Sequence, residues 1–251
     1  MIKFFRKIRQ QLLTENKFSK YLLYAIGEVI LVVIGILIAL QINNWNEGNK
    51  ERAQEQKYLI EIRKNLEADN TQIETVGIEY QNIISKIDSL HIFIKSAEPA
   101  TTDYKKLFNY FLAVSYVPKF NPQKNGYNNL ISAGDINQIQ NQELMKKIAS
   151  HYNSIDYNNQ LITETLRGSS GKDIHPPIKR LIGKKEFLTD LGYDYSTTSI
   201  SDEYLSKNEE LISGLIYKKT WLGIASRNTK EWKVKTTNLI ESIKAEIEES
   251  K

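Results

Sequence analysis

A long apolar segment close to the N-terminus is the strongest feature in the hydrophobic pattern of this chain. Residues 21–40 read YLLYAIGEVILVVIGILIAL and contain one charged residue, Glu28. About 20 such residues in a helix span a hydrocarbon core of roughly 30 Å. The segment is longer than the apolar region of a signal peptide and lacks a small-x-small cleavage site. We therefore predict an uncleaved transmembrane helix over residues 21–43.

A heptad pattern begins after a short polar stretch. Its positions follow one another in steps of three and four residues, and only Asp69 interrupts the apolar or tyrosine side chains. This spacing is typical of a long helix with a coiled-coil-like seam. We expect this helix to end before Pro99, and residues 44–57, which contain no proline, to form a polar helical stalk. The positions of this first stripe are Leu59, Ile62, Leu66, Asp69, Ile73, Val76, Tyr80, Ile83, Ile87, Leu90 and Ile94.

Two further apolar stripes predict two more long helices. One stripe covers residues 144–166 and is expected to end at Gly168, and the other covers residues 204–243 after a start at Ser199–Asp202. Strand-like alternation is scarce, so we predict an all-α fold in which the transmembrane helix is followed by a long-helix bundle over residues 58–251. The stripes can pack as an antiparallel bundle of three or four helices, or the first can pair with its copies in a parallel oligomer. Shorter helices are predicted at 103–116 and 126–133, and loops at 96–102, 118–125, 168–177 and 192–199.

Basic residues are concentrated in residues 1–20, which we predict to form an amphipathic cytosolic arm. The chain has a net charge of +4, and this arm contributes +5, because its six Lys or Arg residues are opposed by Glu15 alone. The remaining residues sum to −1, whereas a nucleic-acid-binding domain carries a basic face on its folded body. The predicted partner is therefore the lipid bilayer and not a nucleic acid. The side chains expected at the membrane surface are Lys3, Arg6, Lys7 and Arg9.

The distribution of Lys and Arg also predicts the orientation of the anchor. The arm has six of these residues, and the twenty residues after Trp45 have five. The arm is short, and the 206 residues after Trp45 are long enough to be translocated regardless of their charge. We expect a cytoplasmic N-terminus and a periplasmic C-terminal domain, with the anchor in a bacterial inner membrane.

One face of the predicted transmembrane helix carries a carboxylate and two small residues. Gly35 lies seven residues after Glu28, and Ala39 lies four residues after Gly35, so the three share one helical face. A small-xxx-small pair lets two membrane helices approach closely. We predict that Glu28, Gly35 and Ala39 form a self-association face. The alternative is a carboxylate that simply protonates or reaches the near interface.

Candidate chemistry is sparse in this sequence. The chain has no cysteine, which excludes disulfides, thiol nucleophiles and thiolate metal sites, and its three histidines lack metal-ligand spacing. The segment GSSGKD from Gly168 lacks the spacing and the hydroxyl residue of a phosphate loop. We predict no catalytic residue, no metal site and no cofactor, and therefore no enzyme.

The segment NGYNNLISAGDI, from Asn125 to Ile136, is the most distinctive part of the predicted bundle. Tyr127, Asn128 and Asn129 are candidates for the lining of a small polar ligand pocket between helices. The alternative is a helix–turn–helix corner whose asparagines bind local backbone groups.

The run ENKFSKYLLYAIGEVILVVIGILIALQINNWNE resembles the opening of an uncharacterised bacterial family of single-pass membrane proteins, a domain of unknown function. LISAGDI from Leu130 and ELMKKIASHY from Glu143 resemble later parts of that family, with His151 in place of a tyrosine. The resemblance implies an envelope-anchored architecture and transfers no catalytic residues.

The function predicted from these observations is that of a membrane-anchored helical interaction or scaffold protein of the cell envelope. We expect it to act as a homo-oligomer or as a subunit of an envelope protein complex. The alternative is a ligand-sensing helical ectodomain. Such a sensor would signal through a separate transducer, because the arm of 20 residues holds no output domain.

Overall fold

The computed structural model describes residues 18–96, 103–183 and 206–249, together with positions 188, 189, 192 and 204. All regular elements in this described part are helical, which confirms the predicted all-α fold. The chain divides into two compact units, one ending at Glu55 and the other beginning at Gln56. The elements are α1 (Phe18–Ser96), α2 (Tyr104–Ser115), α3 (Asn125–Ala133), a 3₁₀ turn (Asp135–Gln138), α4 (Gln142–Ser169), a π-helical turn (Ser170–Ile174), α5 (His175–Ile182) and α6 (Glu209–Glu249).

The first unit contains the N-terminal part of α1. Within the described residues, α1 is the one helix that is long and apolar enough to cross a membrane, judged by length and composition. Its most apolar 18-residue window has a mean hydropathy of 2.6, and none of that window is buried. Residues 21–43 and 44–57 are helical as expected. That the former is an anchor and the latter a stalk stays a prediction.

The second unit buries the three predicted stripes in its own interior. All eleven positions of the first stripe are buried, and none is more than 5% exposed. The stripe of α4 is buried along its length, and so is the stripe of α6 from Leu211 to Ile243. Removing such apolar surface from water is the force that brings amphipathic helices together. Because the same chain covers the first stripe, the bundle is the observed arrangement and this stripe is not a seam for a second copy.

A ladder of polar contacts shows that α1 and α6 run antiparallel. Residue numbers rise along α1 as those of the bonded partners fall along α6. Three of the four pairs are exposed and contribute at most about 1 kcal/mol each, so the buried stripes supply most of the stability and the ladder reports the register. The pairs are Asn70 with Thr237, Glu74 with Lys233, Gln81 with Ser226, and Asp88 with Lys219.

Helix α4 runs in the same direction as α1, which differs from a fully antiparallel bundle. We define core cluster 1 as the buried apolar residues at the start of α4, around Leu66 of α1 and at the C-terminal end of α6. Core cluster 2 contains the later buried residues of α1 and α4 together with the earlier ones of α6. After α1, the chain returns through α2 and the non-helical residues 116–124 to the end of the bundle where the first stripe of α1 begins. Helix α4 starts at that end, so α1 and α4 run parallel.

Two predicted boundaries are wrong. Residues 168–177 were expected to form a loop, but they continue through the end of α4 and the π-helical turn into α5. A Cβ on Gly214 would lie 2.4 Å from the Cβ of Asp173, so α6 packs directly on this turn and holds it in place. The second boundary is the start of the C-terminal helix. The predicted start at Ser199–Asp202 lies outside the described residues, and α6 begins at Glu209, where the Asn208 side chain caps it by accepting the N–H of Leu211 at 2.8 Å.

Candidate functional site

The predicted association face lies in the first unit, and its three residues are helical. Glu28 is partly exposed, while Gly35 and Ala39 are exposed. A Cβ built on Gly35 meets no atom within 4 Å, so nothing in the described part of the chain covers this position. The face stays a prediction. The arm residues predicted to contact the membrane surface lie outside the described residues: Lys3, Arg6, Lys7 and Arg9.

The start of α3 packs directly on α1. A Cβ on Gly126 would lie 2.8 Å from the backbone nitrogen of Ile62, and the Gly126 N–H donates to Asn65 Oδ1 at 2.9 Å. Only glycine fits so close to another backbone without displacing it. An Asn-Gly pair is typical of turns, but Asn125–Gly126 forms the first turn of a helix held by tertiary contact.

The three predicted pocket residues lie in different surroundings. Tyr127 is partly buried against core cluster 1, with its ring 5.1 Å from that of Tyr152. Asn128 is exposed, and Asn129 is exposed while its Nδ2 donates to Glu61 Oε1 at 3.1 Å. The three side chains are thus divided between core and surface. A pocket lined by all of them stays a prediction.

Asp69, the one polar position of the first stripe, is fully buried. Its Oδ1 accepts the N–H of Gln123 at 2.7 Å, while its Oδ2 has no hydrogen-bond partner among the described residues. One turn later, Gln72 accepts the N–H of Asn121 at 3.3 Å. Burial raises the pKa of Asp69 to about 6, against smaller opposing effects of the Gln123 hydrogen bond and the charge of Lys124. Asp69, the residue that interrupts the heptad, therefore helps Gln72 to hold residues 121–123 against α1.

Lys218 is a buried cation beside the π-helical turn. Its Nζ donates to Ser170 Oγ at 2.7 Å and to the carbonyl of Tyr116 at 3.1 Å, and burial lowers its pKa to about 8. A serine beside such a lysine occurs in some nucleophilic enzymes. Ser170, however, is itself buried, and its hydroxyl donates to the carbonyl of Leu166. The pair thus ties three segments of the bundle together and offers no open nucleophile.

A cleft of about 550 Å³ lies between α4 and α6. This volume falls within the roughly 300–1,000 Å³ of small-molecule sites. Buried apolar side chains form its floor, namely Ile155, Trp232 and Leu239. The remaining lining consists of three lysines, one carboxylate, one histidine and four hydroxyl or amide side chains: Lys146, Lys147, Lys235, Glu143, His151, Ser150, Ser154, Asn238 and Ser242.

His151 contributes a neutral imidazole to the floor of the cleft. Its Nε2 lies 3.5 Å from Thr236 Oγ1 in the core. Burial, and to a smaller extent the charge of Lys235, lower the pKa of His151 to about 4. The positive charge of the cleft therefore comes from its lysines. Among the described residues, no three His, Cys, Asp or Glu side chains are grouped so that they could hold a metal ion.

A known family matches residues 28–172, more than half of the chain, from the apolar segment to the π-helical turn. The chain belongs to the family of unknown function DUF6090. This confirms the sequence resemblance to an uncharacterised family, whereas bacterial origin stays a prediction. The DUF6090 match contains Asp69, Gly126 and the α4 side of the cleft. Helix α6, with Lys218 and the other side of the cleft, lies beyond it.

A partial likeness to an enzyme accompanies the DUF6090 match. The 4-galactosyl-N-acetylglucosaminide 3-alpha-L-fucosyltransferase 9 proteins of Homo sapiens and Cricetulus griseus are each 27% identical to this chain over 129 residues. The Bos taurus protein is 28% identical over 130 residues. These matches cover 50% of this chain and 34% of the relatives, so the chain spans about a third of the length of the curated proteins it matches. No solved structure matches the chain.

Sequence reasoning missed Lys218 and the cleft for different reasons. Lys218 lies three residues after Leu215 and four before Leu222, so the spacing of the stripe itself marks a buried position. The cleft joins residues of α4 and α6 whose register depends on packing across the bundle. Its signal in the sequence is limited to the neighbouring Lys146 and Lys147.

Proposed function

We propose that this protein is a membrane-anchored helical interaction protein of the bacterial cell envelope that self-associates through its anchor. The observation that carries the proposal is the uncovered apolar window of α1, with a mean hydropathy of 2.6, in a chain whose second unit buries its own stripes. A continuous apolar surface of that length is stable in lipid and unfavourable in water. The basic arm supports a cytoplasmic N-terminus, an inner-membrane anchor and a periplasmic body.

Self-association is assigned to the anchor because the other candidate surface, the first stripe, is already buried within its own chain. The first stripe packs within its own chain, whereas Gly35 and Ala39 of the predicted face are exposed and Glu28 is partly exposed. Close approach at Gly35 and Ala39 permits van der Waals contact between helices, and Glu28 can donate or accept a hydrogen bond across them. In this proposal the body interacts with envelope partners and has no catalytic role.

Cross-linking of the full chain after mild detergent extraction tests this proposal. We expect Gly35→Ile and Glu28→Gln to reduce the yield of cross-linked oligomer, while Leu37→Phe, about 180° around the helix from Glu28, leaves it unchanged. Unchanged yield in both face variants would remove the association face. Recovery of the full chain in the soluble fraction without detergent would remove the anchor, and protease treatment of spheroplasts checks the orientation.

A second candidate function is a ligand-sensing helical ectodomain that acts through a partner transducer. The observation that favours it is the cleft between α4 and α6, which has the size of a small-molecule site and a mixed polar and apolar lining. A ligand that binds only the folded state raises the unfolding temperature. Stabilisation by a small molecule, with no change in oligomer yield, would favour the sensor over the scaffold.

A further inference from the structure

Three lysines and one carboxylate line the cleft between α4 and α6, so positive charge is in excess there. Lys146 pairs with Glu143 at 2.7 Å. Lys147 and Lys235 are exposed and have no ion-pair partner among the described residues. Residues 21–251 have a net charge of −1, so two unpaired lysines at one cleft are a local excess of positive charge. An anion is the ligand that this charge favours.

Polar side chains without protein partners line the same cleft. The side chains of Ser150, Ser154 and Asn238 form no hydrogen bond within the described part of the chain. Hydroxyl groups elsewhere on these helices donate to the carbonyl four residues earlier, as Thr165 does to Leu161. The unpartnered serine and asparagine side chains leave donors available to a ligand in the cleft.

The floor of the cleft is suited to an apolar group. The floor presents a small apolar surface to solvent at the bottom of the cleft. Its three side chains are each at most 5% exposed: Ile155, Trp232 and Leu239. The ring of Trp232 is held against that of Phe120, with centroids 5.9 Å apart, and this contact fixes the floor from behind. A ring or short aliphatic chain placed there removes further apolar surface from water.

We propose that this cleft binds a small organic phosphate monoester. The phosphate interacts with Lys147 and Lys235 and with the unpartnered donors, and the organic group lies on the apolar floor. Lysines bind phosphate as point charges, and two unpaired lysines match the charge of a phosphate dianion. The inference rests on the second candidate function, since it names the ligand class that the sensor would recognise.

Isothermal titration calorimetry on the full chain in a mild detergent tests the proposal, with phenyl phosphate as the probe. We expect phenyl phosphate to bind at least about 10-fold more tightly than inorganic phosphate or phenol, because only the ester contacts both the lysines and the apolar floor of the cleft. Lys147→Gln and Lys235→Gln each weaken binding by about 5- to 10-fold through loss of a charge-assisted contact. Lys86→Gln, an exposed lysine on α1, is the matched control and leaves the affinity unchanged.

Three results overturn the proposal. Absence of phenyl phosphate binding at millimolar concentration removes the site. Unchanged affinity in both Lys147→Gln and Lys235→Gln places the binding elsewhere. Equal affinity for inorganic phosphate and phenyl phosphate removes the role of the apolar floor and identifies free phosphate as the ligand. Thermal stabilisation by another small molecule would still support the sensor function, so failure of the phosphate proposal is distinguishable from failure of the sensor function on which it rests.

Discussion

The buried carboxylate of Asp69 predicts that a single neutralising substitution stabilises the protein. Asp69→Asn keeps an oxygen that can accept the N–H of Gln123 and removes a charge that burial disfavours. The folded-state pKa of Asp69, about 6, lies above its ordinary value of 3.8, so the folded protein binds the proton more tightly than the unfolded chain does. The destabilising contribution of Asp69 is therefore absent below about pH 4 and complete above about pH 7.

The size of the effect follows from the same pKa. A rise from 3.8 to about 6 corresponds to a cost of about 3 kcal/mol at neutral pH, at about 1.4 kcal/mol for each tenfold change in proton affinity. An asparagine resembles the protonated aspartic acid in charge and shape. We therefore expect Asp69→Asn to raise the free energy of unfolding by about 2–3 kcal/mol at about pH 8 and by close to zero at about pH 4.

Urea unfolding of the full chain in a mild detergent, followed by tryptophan fluorescence between about pH 4 and 8, measures this difference. His151 titrates in the same range with the opposite sign, but it is present in both proteins and its contribution cancels. Asp88→Asn is the matched control, because Asp88 is exposed on the same helix and pairs with Lys219. Its removal is expected to cost at most about 1 kcal/mol. Destabilisation by Asp69→Asn at about pH 8, or an effect independent of pH, would contradict a charge penalty at Asp69.

Three further substitutions test the close approach of α3 to α1 and the buried charge of Lys218. Gly126→Ala places a Cβ 2.8 Å from the backbone nitrogen of Ile62 and is expected to cost about 1–3 kcal/mol, whereas Gly168→Ala meets no atom within 4 Å and is expected to be neutral or to stabilise by up to about 1 kcal/mol. Equal effects of the two substitutions on the urea midpoint would contradict the close approach of α3 to α1. Lys218→Met tests the buried cation. The folded-state pKa of Lys218, about 8, lies below the ordinary value of 10.5, so the stability of the wild type relative to the Met variant rises by up to about 3 kcal/mol between about pH 8 and 10.5. A difference that does not change with pH would contradict this assignment.

The helices were predictable because their periodicity is local. Each position of the first stripe is set by its spacing from the next, and the structure buries all of them, including Asp69. The ends of helices were less predictable where tertiary contacts decide them. The π-helical turn after Ser169 persists against α6 at Gly214, a contact between residues far apart in the sequence.

The candidate sites show the same division. The reason for a carboxylate at position 69 is a backbone N–H more than 50 residues away, and no periodicity reveals such a partner. Lys147 and Lys235 are ordinary surface lysines when each helix is read alone. They line one cleft only because α4 and α6 pack in a particular register.

The helical class, the apolar segment suited to lipid and the buried face of each long helix follow from the amino-acid sequence alone, because the side chains of one helix face recur at fixed intervals along the chain. Three features emerge only from the folded bundle: the first stripe is covered by its own chain, α1 and α4 run parallel, and lysines from two helices share a cleft. Those features depend on how helices pack across the bundle, and packing depends on the shapes and polar contacts of residues distant in sequence.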